Sequence, residues 1–241
     1  MDCIDNSSTF YSKFKTIALE SSFSWRVHPW ESIGDSFESH MVGLLGWAIA
    51  NKHSPLFELM RDPASPKLSC ERMYSTSPSI IIKNMPLLHL AARMGFIPAV
   101  EELLHLSKPR LLDHKRRLAI HHAAETGSVR AMEVLLRIMK DYVNDQDING
   151  HSTLHLAAIG NCYAVVDTLV RRSKIIPDLL DFHSRTPLFY ALQNLDITVV
   201  ELLLYMRASV NWRDIAGQTP VFVAAARLNA RGFGATNPTG S

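Results

Sequence analysis

STLHLAAIGNCYAVVDTLV, residues 152–170, is the stretch from which the fold follows. Its first half sets Leu154 and Leu156 beside the small pair Ala157 and Ala158, the composition of a helix that a second helix can approach closely. Asn161 stands where that helix ends and the chain needs a left-handed residue, a conformation that asparagine and glycine supply most readily. The second half, AVVDTLV, carries apolar residues at helical spacing and reads as a second helix. The expected unit is two antiparallel helices, too small to bury its apolar face except against neighbours.

The same pattern lies without internal gaps on MPLLHLAARMGFIPAVEELL (85–104), LAIHHAAETGSVRAMEVLL (118–136) and TPLFYALQNLDITVVELLL (186–204). The anchors Leu88, Ile120, Leu154, Leu188 and Val221 follow one another every 32 to 34 residues, so Thr219-Pro220 opens a fifth copy. A degenerate copy precedes them, GLLGWAIANKHSPLFELM (43–60), with Leu45 on the anchor and Phe57 where the others have Val100, Met132, Val166 and Val200. Gly95 and Gly127 take the place of Asn161. Thr186-Pro187 suits a helix start, where the hydroxyl can accept an orphan backbone N–H and proline tolerates lacking its own.

Thr186-Pro187-Leu188 and Leu154-His155-Leu156-Ala157-Ala158 resemble the T-P-L-H-x-A signature of the ankyrin repeats, and the period matches that family. The resemblance covers residues 43–229 and implies an all-α repeat solenoid of stacked helix-turn-helix units joined by β-hairpin loops. An aspartate recurs between units at Asp113, Asp147, Asp181 and Asp214, and Gly150, Ser184 and Gly217 follow three of them as turn residues. Arg116 stands where the first hairpin would be expected to carry glycine, which leaves that hairpin's conformation open. His89, His121 and His155 share one signature position, where the resemblance implies hydrogen bonds between neighbouring turns rather than a metal site.

The family grips its partners with hairpin tips and the exposed end of each first helix. The resemblance therefore implies contacts at Arg93, Met94, Lys115, Arg116, Glu125, Thr126, Ile148, Phe182, Gln193, Asn194 and Trp212. Phe182 and Trp212 are apolar bulk in turns, the residue class that dominates interfaces, although Trp212 could equally fold back over its own hairpin. Val143-Asn144 and Val210-Asn211 look like the V-N that asparaginyl hydroxylases modify in this family, and asparagine there also serves the turn.

Composition sets the outer limits. With 47% hydrophobic and 20% charged residues and a net charge of +2, the chain is expected to be globular and to have no sequence-specific affinity for DNA. The one dense charge cluster, KPRLLDHKRR (108–117), fits an acidic partner, a lipid headgroup or RNA, or is simply a solvated hairpin. Cys3, Cys70 and Cys162 form no C-x-x-C pair, and MVGLLGWAIA (41–50) is too short to span a bilayer, so a cytoplasmic or nuclear protein is expected. No G-x-S-x-G, H-E-x-x-H or phosphate-cradling glycine motif is present, and no catalytic residue, metal or cofactor is assigned.

The organisation read from these features has three parts. Residues 1–40 are serine-rich and aromatic and read either as a cap on the first repeat or as a remnant of a preceding domain; 41–229 are the array, interrupted by a loop-like insertion at 62–84; 230–241 are a Gly/Thr/Pro tail. The last copy shows a first helix without a second, so Val200, Leu203 and Leu204 are expected to stand half exposed. Two functions compete: a non-enzymatic adaptor or scaffold that binds another protein, and the regulatory repeat portion of a larger enzyme. Calcium-independent patatin-like phospholipases are a precedent for the second.

Overall fold

A computed structural model describes residues 46, 48–61, 81–82, 85–106, 110–194 and 197–232. The expectations for residues 1–40, for most of the insertion and for most of the tail lie outside the described residues. The chain divides into two compact units, Met1–Asp113 and His114–Ser241.

In the first unit, helical residues at 48–50 lead into α1 (Ser54–Arg61). A two-residue antiparallel ladder, β1 (Ile81–Ile82) with β2 (Met85–Pro86), precedes α2 (Leu87–Met94) and α3 (Ile97–Leu106). The alanine pair does what its size suggests: Ala91 and Ala92 are fully buried, and α2 and α3 pack together. Phe57, from the degenerate copy, meets Phe96 edge to face with ring centroids 5.3 Å apart, which ties α1 to the first regular pair. Lys52 has φ 53° at the place where Gly95 has φ 63°, so the degenerate copy keeps the left-handed helix stop despite its divergent sequence.

The second unit contains three helix pairs: α4 (Ala119–Thr126) with α5 (Val129–Met139), α6 (Thr153–Ile159) with α7 (Tyr163–Arg172), and α8 (Pro187–Ala191) with α9 (Thr198–Tyr205). The long α10 (Pro220–Gly232) runs past residue 229. First helices pack in one row, α4 on α6 on α8 on α10, and second helices in another, α5 on α7 on α9. Ile120, Leu154 and Leu188, the repeat anchors, are fully buried in this two-layer stack. Each contributes about 2 kcal/mol by leaving water. Gly127 (φ 73°) and Asn161 (φ 51°) supply the left-handed stops. The fold is an all-α repeat array.

Three expectations are refined. Ser152, in the threonine position of the signature, accepts the N–H of His155 at its helix start, but the Thr186 hydroxyl is buried without a hydrogen-bond partner and caps nothing. Arg116 adopts φ 58°, matching Ser184 at 58°, so the first hairpin keeps the family turn with arginine in the left-handed region. Val200 and Leu203 are buried because α9 turns them towards α7 and α8; only Leu204, at 43% exposure, faces outward.

Candidate partner-binding surface

The surface is built from hairpins whose roots are aspartates. Asp147 Oδ1 accepts the N–H groups of Asn149 (2.8 Å) and His151 (2.9 Å). Asp181 Oδ1 accepts those of His183 (2.8 Å) and Arg185 (2.9 Å), and Asp214 Oδ1 those of Ala216 and Gln218 (both 3.0 Å). One carboxylate oxygen thus folds the turn, as aspartate does in an Asx-turn. Each hairpin is then closed by its own backbone, with Asp147 N–H donating to His151 O, Asp181 to Arg185 O and Asp214 to Gln218 O. Gly150 has φ 81°, and a Cβ there would lie 2.7 Å from Phe182 N, so a glycine lets the neighbouring hairpin come close.

Successive hairpins are joined edge to edge. Ile148 N–H donates to Lys115 O at 2.9 Å, Phe182 to Asn149 O at 3.2 Å and Ile215 to His183 O at 3.0 Å. Beneath the tips, in two hairpins the base four residues after the aspartate reaches the aspartate of the next hairpin. Arg185 donates to Asp214 Oδ2 through Nη2 (2.8 Å) and Nε (3.1 Å). His151 lies with Nδ1 3.7 Å from Asp147 Oδ2 and Nε2 3.6 Å from Asp181 Oδ2, while the Tyr190 hydroxyl donates to Asp181 in a short hydrogen bond. Burial opposes charge on His151, but the two carboxylates outweigh it and push its pKa up to about 9. Burial likewise works against the Asp181 carboxylate, yet His151, Tyr190 and two backbone N–H groups hold its pKa below the usual range. His151 is therefore a cation at neutral pH, clamped between two repeats.

The signature histidines behave differently. His155 Nδ1 accepts the N–H of Ser152 (3.1 Å), so Nε2 carries the proton and donates to Arg185 O (3.0 Å) in the next loop. His121 repeats this with Leu118 N–H (3.0 Å) and Asp145 O (2.9 Å). Burial holds His155 down to about 4 and lowers His121 as well, so both rings are neutral, with both nitrogens used as ties between turns. The ties implied by the resemblance are present at both positions.

At the tips the polarity inverts. Ile148, Phe182 and Ile215, each following a hairpin aspartate, are 51%, 69% and 71% exposed, whereas Asp147, Asp181 and Asp214 are buried. Lys115, Arg116 and Trp212 are exposed beside them, and so is Thr126, whose hydroxyl donates to His122 O. In the first unit Arg93 is exposed and Met94 half-buried at the end of α2. Two of the expected contacts are committed internally. The half-buried Glu125 pairs with Arg117 at 3.0 Å, and Asn194 donates to Ala158 O at 2.9 Å on the neighbouring helix; Gln193 is half-buried next to it.

Asn144 donates to Lys174 O (2.9 Å) and accepts from Ile176 N–H (3.0 Å), joining its repeat to the next. Asp178 accepts Ser209 N–H (2.9 Å) from the equivalent position, while Asn211 is exposed. Sequence reasoning missed the His151 and Arg185 clasps. The signal that could have found them is the base four residues after the aspartate, repeated at Arg117, His151 and Arg185.

Among the described residues, no helix is long and apolar enough to cross a membrane. The family models for ankyrin repeats match residues 88–181 as three copies and residues 183–215 as a fourth. Similar proteins include the B-cell lymphoma 3 protein homolog of Mus musculus, 32% identical over 58% of this chain and 32% of that protein. The transient receptor potential cation channel subfamily A member 1 of Homo sapiens is 30% identical over 46% of this chain and 10% of its own length. Palmitoyltransferase ZDHHC13 of Homo sapiens is 25% identical over 78% of this chain and 29% of its own. The chain spans about a third or less of each of these relatives.

Proposed function

This chain belongs to the ankyrin repeat family, and on that premise we propose that it is a non-enzymatic adaptor or scaffold whose hairpin tips bind another protein. The observation that carries the reading is the exposure of Ile148, Phe182 and Ile215 on tips whose aspartates are buried. Exposed apolar side chains fixed on a hydrogen-bonded frame lose little entropy on binding, which is how a few residues come to dominate an interface. Lys115, Arg116 and Trp212 extend the same surface, Arg93, Met94 and Thr126 are the helix-end contacts, and Glu125, Gln193 and Asn194 act mainly by shaping it. The basic tip at 114–116 suits an acidic partner, and a cytoplasmic or nuclear location suits such a role. A photo-crosslinking amino acid at Phe182 and, as a control, at Ile138 on the second-helix layer tests the proposal in cells. Protein adducts at position 182 are expected; adducts only at 138 would overturn it.

A second reading, the interaction portion of a larger enzyme, is favoured by the match to a palmitoyltransferase of which the chain covers 29%. An endogenous product well above 27.0 kDa that carries these repeats would support it; its absence on blots against the array would count against it. If asparaginyl hydroxylation occurs, Asn211 is the better acceptor, since both polar atoms of the Asn144 amide hold the next repeat. Peptide mass spectra with Asn211 unmodified throughout would remove that idea.

A further inference from the structure

The tips share a spacing and a face, and none of them carries an acid. Ile148, Phe182 and Ile215 occupy one register position in three hairpins, and each donates its N–H to the same carbonyl position of the hairpin before it. Every step from one tip to the next crosses two strand widths, so the apolar side chains recur roughly every 10 Å. Polar residues, Asn149 and His183, lie between them. The four tip segments, HKRR (114–117), INGH (148–151), FHSR (182–185) and IAGQ (215–218), contain no acid. The aspartates beside them are buried and spent on backbone N–H groups, His151 and Arg185. The exposed charges at this edge are the cations Lys115, Arg116 and Arg213, while the acid Asp145, two residues before Asp147, is half-buried.

Resting on the tip-binding reading above, we propose that the partner segment is an acidic amphipathic helix lying across the row of tips, with apolar residues seven apart. Seven residues of helix advance about 10.5 Å and return to nearly the same face, which matches the spacing of the tips. An extended strand does not fit. Three residues advance it about 10 Å but turn the third side chain to the opposite face, and steps of two or four miss the spacing. Acidic residues on the helix flanks meet Lys115, Arg116 and Arg213, whose opposite sign steers the encounter. A membrane surface fits less well, because one apolar side chain per tip, interrupted by Asn149 and His183, is not a continuous patch for lipid.

The test uses the full chain and three fluorescent helical peptides of about 20 residues, long enough to be helical when rich in alanine and glutamate. The first carries leucines seven apart, the second the same composition with leucines five apart, and the third lysine in place of glutamate. The first is expected to bind at least about tenfold tighter than either of the others, a difference of about 1.4 kcal/mol. Phe182→Ser should abolish that preference without changing the unfolding midpoint, and Lys115→Glu with Arg116→Glu should weaken binding and its salt dependence. Equal binding of the first two peptides, or none by the first, overturns the helix proposal. Binding of phosphatidylserine vesicles lost in Phe182→Ser, with no peptide preference, overturns it in favour of a membrane. Failure here leaves the tip-binding reading to the crosslinking result, which separates the two.

Discussion

Asp181 and Phe182 are neighbours in the chain with exchanged roles: the carboxylate is buried and the phenyl ring is 69% exposed. The inversion has a cause. A hairpin tip has no core to enter, so its fold must come from polar bonds, and the group able to take several at once is a carboxylate. Asp181 holds two backbone N–H groups, the Tyr190 hydroxyl and the cationic His151, while Phe182 contributes its backbone N–H to the ladder and little of its side chain. Roots determine folding and tips are left for contact. Each prediction below strains that division, starting where the root should matter most.

Asp181→Ala should cost about 3 to 5 kcal/mol, because it removes a buried charge from a clasp and leaves His151 facing a single carboxylate. Urea denaturation would read this as a large fall in midpoint. A loss below about 1 kcal/mol would mean that the hairpins are held by their backbone ladder alone.

The clasp also has a pH signature. The folded pKa of His151 is raised to about 9 from 6.5, so its contribution is fully present below 6.5 and lost as pH rises through 9. His155 is the reverse case: buried and neutral, with a folded pKa of about 4, it favours folding above 6.5 and weakens it as pH falls towards 4. Stability should therefore peak near pH 6.5. The alkaline decline to pH 9.5 is on the order of 2 to 3 kcal/mol in the native sequence and nearly absent in His151→Gln. A decline of equal size in both would place its origin elsewhere.

Glycines in equivalent turns sharpen the comparison between hairpins. Both Gly150 (φ 81°) and Gly217 (φ 73°) are left-handed, but a Cβ on Gly150 meets Phe182 N at 2.7 Å and one on Gly217 meets nothing within 4 Å. Gly217→Ala should cost about 1 kcal/mol, the conformational term alone, and Gly150→Ala about 2 kcal/mol, since the next hairpin must move. Equal losses would show that the ladder yields freely at Gly150.

The sequence made the period visible because core positions repeat: Ile120, Leu154 and Leu188 are alike since each fills the same buried place. The hairpin aspartates were visible for the same reason. What it hid was conformation that a side chain does not advertise, and bonds whose partner lies a whole repeat away. Arg116 is left-handed because its hairpin joins the ladder, not because arginine prefers that region. The bases at His151 and Arg185 were in plain view, but the acids they reach, Asp181 and Asp214, are about one repeat further on. At the candidate surface, Ile148, Phe182 and the basic tip followed from register, while Asn194 and Glu125 could not be told from contact residues until their internal partners were seen.

Phe182→Ser carries the smallest expected effect on stability and the largest on recognition. With 69% of its surface in water, the ring gives up little burial when removed, and the change in unfolding free energy should stay within about 0.5 kcal/mol. One contact argues the other way: Phe182 Cδ1 lies 2.9 Å from where a Cβ on Gly150 would stand, so the ring covers part of the preceding turn. If the variant loses 1 kcal/mol or more, that cover is structural and the tip belongs with the root. If stability holds while the acidic helical peptide no longer binds, the aromatic ring is kept at the tip for its partner, at no expense to the frame beneath it.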